Sequence, residues 1–141
     1  MAFDDGAIMI AFGDPFTQNR QPALLLLSDD AQLRGLVAET ADRGWLVEQR
    51  RDPTKITDVM RRIDLRVVLL DDETVAETER GWLLAQLRRQ LPGAALLYVA
   101  GHHDSLVEKR ARAGGAHYYT SKPIHPSEFA EVLKSFLHLH R

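Results

Sequence analysis

The stretch Leu65-Arg66-Val67-Val68-Leu69-Leu70 runs straight into the acids Asp71-Asp72-Glu73. An apolar run of this length, rich in β-branched side chains and bounded by polar residues, is too short for a helix. It reads as a strand buried on both faces, the kind found in parallel sheets. That constrains the rest of the chain, because parallel strands need long crossover connections, usually helices that cover the sheet. It also says where chemistry belongs. In open α/β sheets, reacting groups gather beyond the carboxyl ends of the strands, where a side chain leaves the core on a rigid mount. Asp71 is the first side chain in that position, and Asp72 would replace it if the register slipped by one residue.

The flanking sequence supplies the expected alternation. Ala23-Leu24-Leu25-Leu26-Leu27-Ser28 predicts a first buried strand, stopped by Asp29-Asp30. Either acid can cap the helix in which Leu33, Leu36 and Val37 recur at helical spacing. Arg43-Gly44 ends that helix, and Trp45-Leu46-Val47-Glu48 predicts a second strand. Asp52-Pro53-Thr54 then opens a helix through Ile56, Val59, Met60 and Ile63. After the third strand, Trp82, Leu83, Leu84, Leu87 and Leu91 form a helical stripe closed by Pro92-Gly93, with Trp45 and Trp82 assigned to core or helix–sheet packing. Residues 94–99 predict a fourth strand, residues 106–112 a polar helix ended by Gly114-Gly115, and residues 117–120 a short fifth strand. Pro126-Ser127 starts a last helix with Phe129, Val132, Leu133, Phe136 and Leu137 inward. Five such β-α units with right-handed crossovers predict a doubly wound α/β domain, a five-stranded parallel sheet in the flavodoxin-like order 2-1-3-4-5.

A chain of 141 residues, 45% hydrophobic and 27% charged, suits one domain with its own core, here assigned to residues 23–141. Residues 1–22 are expected to form an extension or linker. Their apolar hexamer at 7–12 is far shorter than a membrane span and follows Asp4 and Asp5 rather than the basic start of a signal peptide. A flexible segment and an added strand or dimer arm are equally compatible with it. The net charge of −2, with acids and bases mixed, argues against nucleic acid as a partner of this segment and against a membrane surface. Absence of cysteine excludes a disulfide framework, and cytoplasm is the expected compartment. The histidines form no zinc site, since His102-His103 are adjacent and His138 and His140 are two apart on a helix.

Residues 23–137 resemble a response-regulator receiver domain of the chemotaxis-regulator type. The resemblance rests on Leu27-Ser28-Asp29-Asp30, on Val67-Val68-Leu69-Leu70-Asp71, and on Gly115-Ala116-His117-Tyr118-Tyr119-Thr120-Ser121-Lys122-Pro123. It implies that Asp71 accepts a phosphoryl group from a sensor histidine kinase or phosphotransfer protein. It further implies Mg²⁺ held by the side chains of Asp30 and Asp71, by Asp29 through water and by the backbone carbonyl of Glu73, with Lys122 on the phosphoryl oxygens. The domain would signal to an output domain or downstream protein rather than act as an enzyme, beyond phosphorylating and dephosphorylating itself. A homodimer through the fourth helix, fifth strand and fifth helix is also implied; on that face Arg110 and Arg112 of one helix and Glu128 and Glu131 of the other offer complementary charge for a two-fold contact. The charge arithmetic agrees: carboxylates about 4 Å apart repel by about 4 kcal/mol per pair at an effective dielectric of about 20, so a cation or shared proton must relieve them. A hard divalent ion suits such oxygen donors.

Two features depart from the family pattern, the residue at the end of the fourth strand and the loop after the phosphosite. Ala100 stands at the end of the fourth strand, where the family has a hydroxyl that moves toward the phosphoryl group while the aromatic of the fifth strand, here Tyr119, turns inward. Thr74-Val75 replaces a Met-Pro pair after the phosphosite, and Gly81 comes late. Two other classes compete. A pseudo-receiver would serve as a phosphorylation-independent interaction or dimerisation module. Asp71-Asp72-Glu73-Thr74-Val75 also resembles the Asp-x-Asp-x-Thr of aspartate-nucleophile phosphatases, but Glu73 stands where the second acid would be and the chain lacks room for the later motifs of such enzymes. The sequence is compatible with a stand-alone regulator and with a receiver cut from a longer protein.

Overall fold

The structure, a computed structural model, describes residues 21–141. The predicted extension over 1–22 therefore lies outside the described residues except for its last two. Five strands alternate with five helices: β1 (Pro22–Leu27), α1 (Ala31–Thr40), β2 (Leu46–Arg50), α2 (Ile56–Arg62), β3 (Asp64–Asp71), α3 (Arg80–Gln90), β4 (Ala95–Ala100), α4 (Ser105–Ala113), β5 (Tyr118–Ser121) and α5 (Pro126–Leu139). All strand pairs are parallel, and the sheet order is β2-β1-β3-β4-β5, the doubly wound arrangement the alternation predicts.

Period-two alternation divides the central strands between two cores. Leu25, Leu27, Val68, Leu70, Leu96 and Tyr98 pack with Ile56, Val59, Leu83, Leu84, Leu87 and Ala111, so α2, α3 and α4 cover that face. Leu24, Leu26, Val67, Leu69, Leu97 and Val99 pack with Leu33, Val37, Phe129, Leu133 and Leu137 of α1 and α5 on the other. An irregularity adjusts the register. Ala23 pairs with Leu65 but Leu24 pairs with Val67, so Arg66 is the extra residue, and Leu65 stays with the first core while Val67 joins the second.

Three local readings need correction. Helix α1 ends at Thr40, before Arg43-Gly44, where the Ala41 N–H closes on the Val37 carbonyl. The second strand starts at Leu46 and continues to Arg50. Trp82 is 60% exposed whereas Trp45 is buried. Each helical residue turns about 100°, so with Leu83, Leu84 and Leu87 facing the sheet, Trp82 falls on the far side of the helix, toward solvent.

Candidate functional site

The strand ends bring Asp30, Asp71, Glu73 and Lys122 together, and leave the predicted Asp29 outside. Ser28 follows β1, Asp71 closes β3, and Lys122 follows β5, where its N–H donates to the Ala100 carbonyl at 2.9 Å and fixes its place beside β4. Asp71 is 1% exposed. Its Oδ2 accepts from Ser28 Oγ at 2.6 Å and from Lys122 Nζ at 3.0 Å, and its Oδ1 accepts from the Glu73 N–H at 3.1 Å. Burying a carboxylate is tolerable because each oxygen has a donor.

The two acids after β1 divide their roles. Asp30 caps α1, its Oδ1 accepting from the Gln32 and Leu33 N–H groups, while Oδ2 lies 2.8 Å from Lys122 Nζ. The hydrogen bond from Lys122 holds the Asp30 carboxyl below its ordinary pKa, against an opposing effect of burial. Asp29 is exposed and stands outside this cluster. Glu73 enters it by its side chain, with Oε1 at 2.6 Å from Lys122 Nζ. Burial works against the Lys122 charge, but the bonds to Asp30, Glu73 and Asp71 outweigh it and raise the lysine above its ordinary pKa.

Asp72 turns the other way. Its Oδ2 accepts from the Tyr98 hydroxyl at 2.9 Å and its Oδ1 from the Gly101 N–H at 2.8 Å, while Arg80 Nη1 lies 3.7 Å from Oδ2. Arg80 also donates to the carbonyls of Asp72 and Val75. Burial, reinforced by the Asp72 charge, pushes the Tyr98 hydroxyl up, so it remains a proton donor. Tyr119 stacks on Tyr98 with ring centroids 5.9 Å apart, is 8% exposed, and has its hydroxyl 3.4 Å from His103 Nδ1. Ala100 is fully buried at the end of β4.

Sequence reasoning missed three contributors: the Ser28 hydroxyl, the Glu73 carboxylate and the Asp72–Tyr98 pair. Period-two alternation held the signal for two of them. Leu24, Leu26 and Ser28 share a face with Val67, Leu69 and Asp71, while Asp72 shares the opposite face with Val68, Leu70 and Tyr98.

The oxygen donors suit a hard cation in kind and in charge. Asp30, Asp71 and Glu73 place three carboxylates on one ammonium, a surplus of two negative charges to which exposed Asp29 is adjacent in sequence. Among the described residues no group of three acidic or histidine side chains forms a ready metal cage. The three acids that approach one another do so on Lys122 Nζ.

No protein-family model and no curated protein matches the sequence. Solved structures do match. A response regulator from Thermotoga maritima superposes with TM-score 0.72 at 17% identity, covering 84% of this chain and 98% of that one. A CheY-like response regulator receiver domain protein from Methanospirillum hungatei JF-1 gives 0.70 at 20%, covering 86% and 97%. The signal receiver domain of an HD domain-containing protein from Pseudomonas fluorescens Pf-5 gives 0.68 at 22%, covering 86% and 98%. Since the likeness runs through the whole sheet and over nearly the full length of each neighbour, the chain has the fold of response-regulator receiver domains.

Proposed function

We propose that residues 23–141 act as the receiver of a two-component system, with residues 1–22 as an extension or linker, and that Asp71 accepts a phosphoryl group. The observation that carries this reading is the Asp71–Lys122 pair, a buried carboxylate 3.0 Å from an ammonium at the carboxyl ends of the strands. In the transfer, an Asp71 oxygen bonds to phosphorus as the donor's P–N bond breaks, and the donor's imidazole keeps the electron pair and takes up a proton. Ser28 and the Glu73 N–H fix the carboxylate's orientation, and Lys122 offers a fixed positive charge to the phosphoryl oxygens. Mg²⁺ held by Asp30 and Asp71, with Asp29 through water and the Glu73 carbonyl, would supply further neutralisation of the incoming group.

The donor is a sensor histidine kinase or phosphotransfer protein, and the signal passes to an output domain or downstream partner in the cytoplasm. Among the described residues no helix is long and apolar enough to cross a membrane. A homodimer would use α4, β5 and α5, pairing Arg110 and Arg112 with Glu128 and Glu131 of a second copy. Arg112 already lies 3.0 Å from Glu108 within its own chain, which leaves Arg110 the freer cation. Sedimentation of a variant with Arg110 and Arg112 both changed to Glu tests that face, and an unchanged dimer would exclude it.

A pseudo-receiver is the second reading, favoured by Ala100 and by the buried, stacked position of Tyr119. The deciding experiment is incubation with acetyl phosphate and Mg²⁺, followed by intact mass. A phosphoryl adduct that persists in the wild type and is missing in Asp71→Asn supports the receiver. No adduct in either favours the pseudo-receiver, and steady hydrolysis would support a phosphatase.

A further inference from the structure

Glu73 is 58% exposed along its side chain, yet its carboxylate holds Lys122 more closely than Asp71 does, at 2.6 Å against 3.0 Å. It reaches the lysine by lying across Gly101 at the end of β4. A Cβ at Gly101 would stand 2.6 Å from Glu73 Cγ, 2.8 Å from Cδ and 2.9 Å from Oε2, closer than such contacts occur. Gly101 has no positive φ that would demand glycine, so the missing side chain serves the Glu73 crossing rather than the local backbone. Its N–H is meanwhile held by Asp72 at 2.8 Å, which keeps this floor in place.

From this geometry we propose that Glu73 is a tethered anion that occupies the oxyanion position on Lys122 and closes Asp71 to incoming phosphoryl-like ligands, with Gly101 as its seat. An ammonium has three donors, and here they face Asp30, Asp71 and Glu73, so an external oxyanion must displace one of them. Glu73 is the one that can leave. Asp71 is buried and Asp30 is tied to the end of α1, whereas Glu73 sits on a flexible, exposed stem. Opening is therefore a side-chain rotation, and access depends on how often Glu73 swings off Gly101.

Two substitutions separate this from simple charge removal. Glu73→Ala deletes the competing anion and lowers the local negative charge. Gly101→Ala keeps every charge and removes only the seat, forcing the flexible end of Glu73 aside. The test is a titration of beryllofluoride in the presence of Mg²⁺, read by the bound ¹⁹F resonance, on the full chain in wild type, each variant and the double variant. Freeing one charge-assisted contact should tighten binding about tenfold in Glu73→Ala and about as much in Gly101→Ala. The double variant should bind no tighter than Glu73→Ala. Tightening in Glu73→Ala alone would mean a bulk charge effect, and unchanged binding in all variants would mean that Glu73 does not limit access; either result overturns the proposal. It rests on the phosphoacceptor reading for its ligand class but fails separately from it. Acetyl phosphate that labels Asp71 while beryllofluoride binding is insensitive to both substitutions sinks the tether alone. Tighter beryllofluoride binding with no labelling in any variant sinks the phosphoacceptor and leaves the tether.

Discussion

Asp71 and Asp72 are neighbours in the chain, yet their carboxylates face opposite sides of the sheet and solve the problem of buried charge in different ways. Around Asp71 three acids share one lysine, and two of them, Asp30 and Glu73, reach solvent. Around Asp72 a phenol, a backbone N–H and a guanidinium serve a single acid, and the pair closes the β3–α3 loop onto the end of β4. The first region carries excess negative charge and can exchange partners. The second is nearly neutral and has its donors filled. The proposed phosphoacceptor role puts reactivity with the first and rigidity with the second, because a site that must admit a ligand needs incompletely committed groups, whereas a buried polar clamp stabilises only when fully satisfied.

The sharpest way to break this contrast is to exchange each acid for its amide. Asp71→Asn should abolish phosphoryl labelling by acetyl phosphate while changing urea stability by less than about 1 kcal/mol, since relief of repulsion offsets the weakened bond to Lys122. Asp72→Asn should retain the label. Labelling that moved to Asp72, or survived in Asp71→Asn, would reverse the assignment of the two faces.

Stability should show the opposite ranking. Asp72→Ala leaves the Tyr98 hydroxyl, the Gly101 N–H and Arg80 without their acceptor, and should cost about 3 kcal/mol in chemical denaturation. A loss well below 1 kcal/mol would show that water replaces the carboxylate freely. Tyr98→Phe removes one donor from a carboxylate that keeps the other two, so a smaller cost of about 1–2 kcal/mol is expected. Amide shifts should spread to Tyr119, which stacks on that ring.

The smallest effect concerns pH. Asp30 has its pKa lowered in the fold, so its contribution is present above the ordinary value of 3.8 and is lost as pH falls through the lower folded value. Lys122 is raised, so its contribution is present below 10.5 and is lost as pH rises through the higher folded value. Denaturation midpoints measured from pH 2 to 6 should fall less steeply with acid in Asp30→Asn than in the wild type, on this sign alone. Equal slopes would mean that the Asp30–Lys122 contact is absent in solution.

Much of this arrangement was legible in the sequence. Runs such as 23–27 and 65–70 fix strands by local apolarity, the helical stripe at Leu83, Leu84 and Leu87 fixes α3, and the strand-end positions of Asp71 and Lys122 follow from where those runs stop. These features depend on neighbours a few residues away, which is why pattern alone determined them, together with the sheet order that short right-handed crossovers allow. Tertiary structure decided the rest. That Asp30 rather than Asp29 reaches Lys122, that Ser28 bonds Asp71, that Glu73 crosses Gly101, and that Tyr98 claims Asp72 are contacts between residues brought together only when strands pair in register. A polar side chain after a strand has several rotamers and several possible partners at similar energy. Which one it takes is set by the donor or acceptor that the folded sheet places within about 3 Å, and no local periodicity encodes that distance.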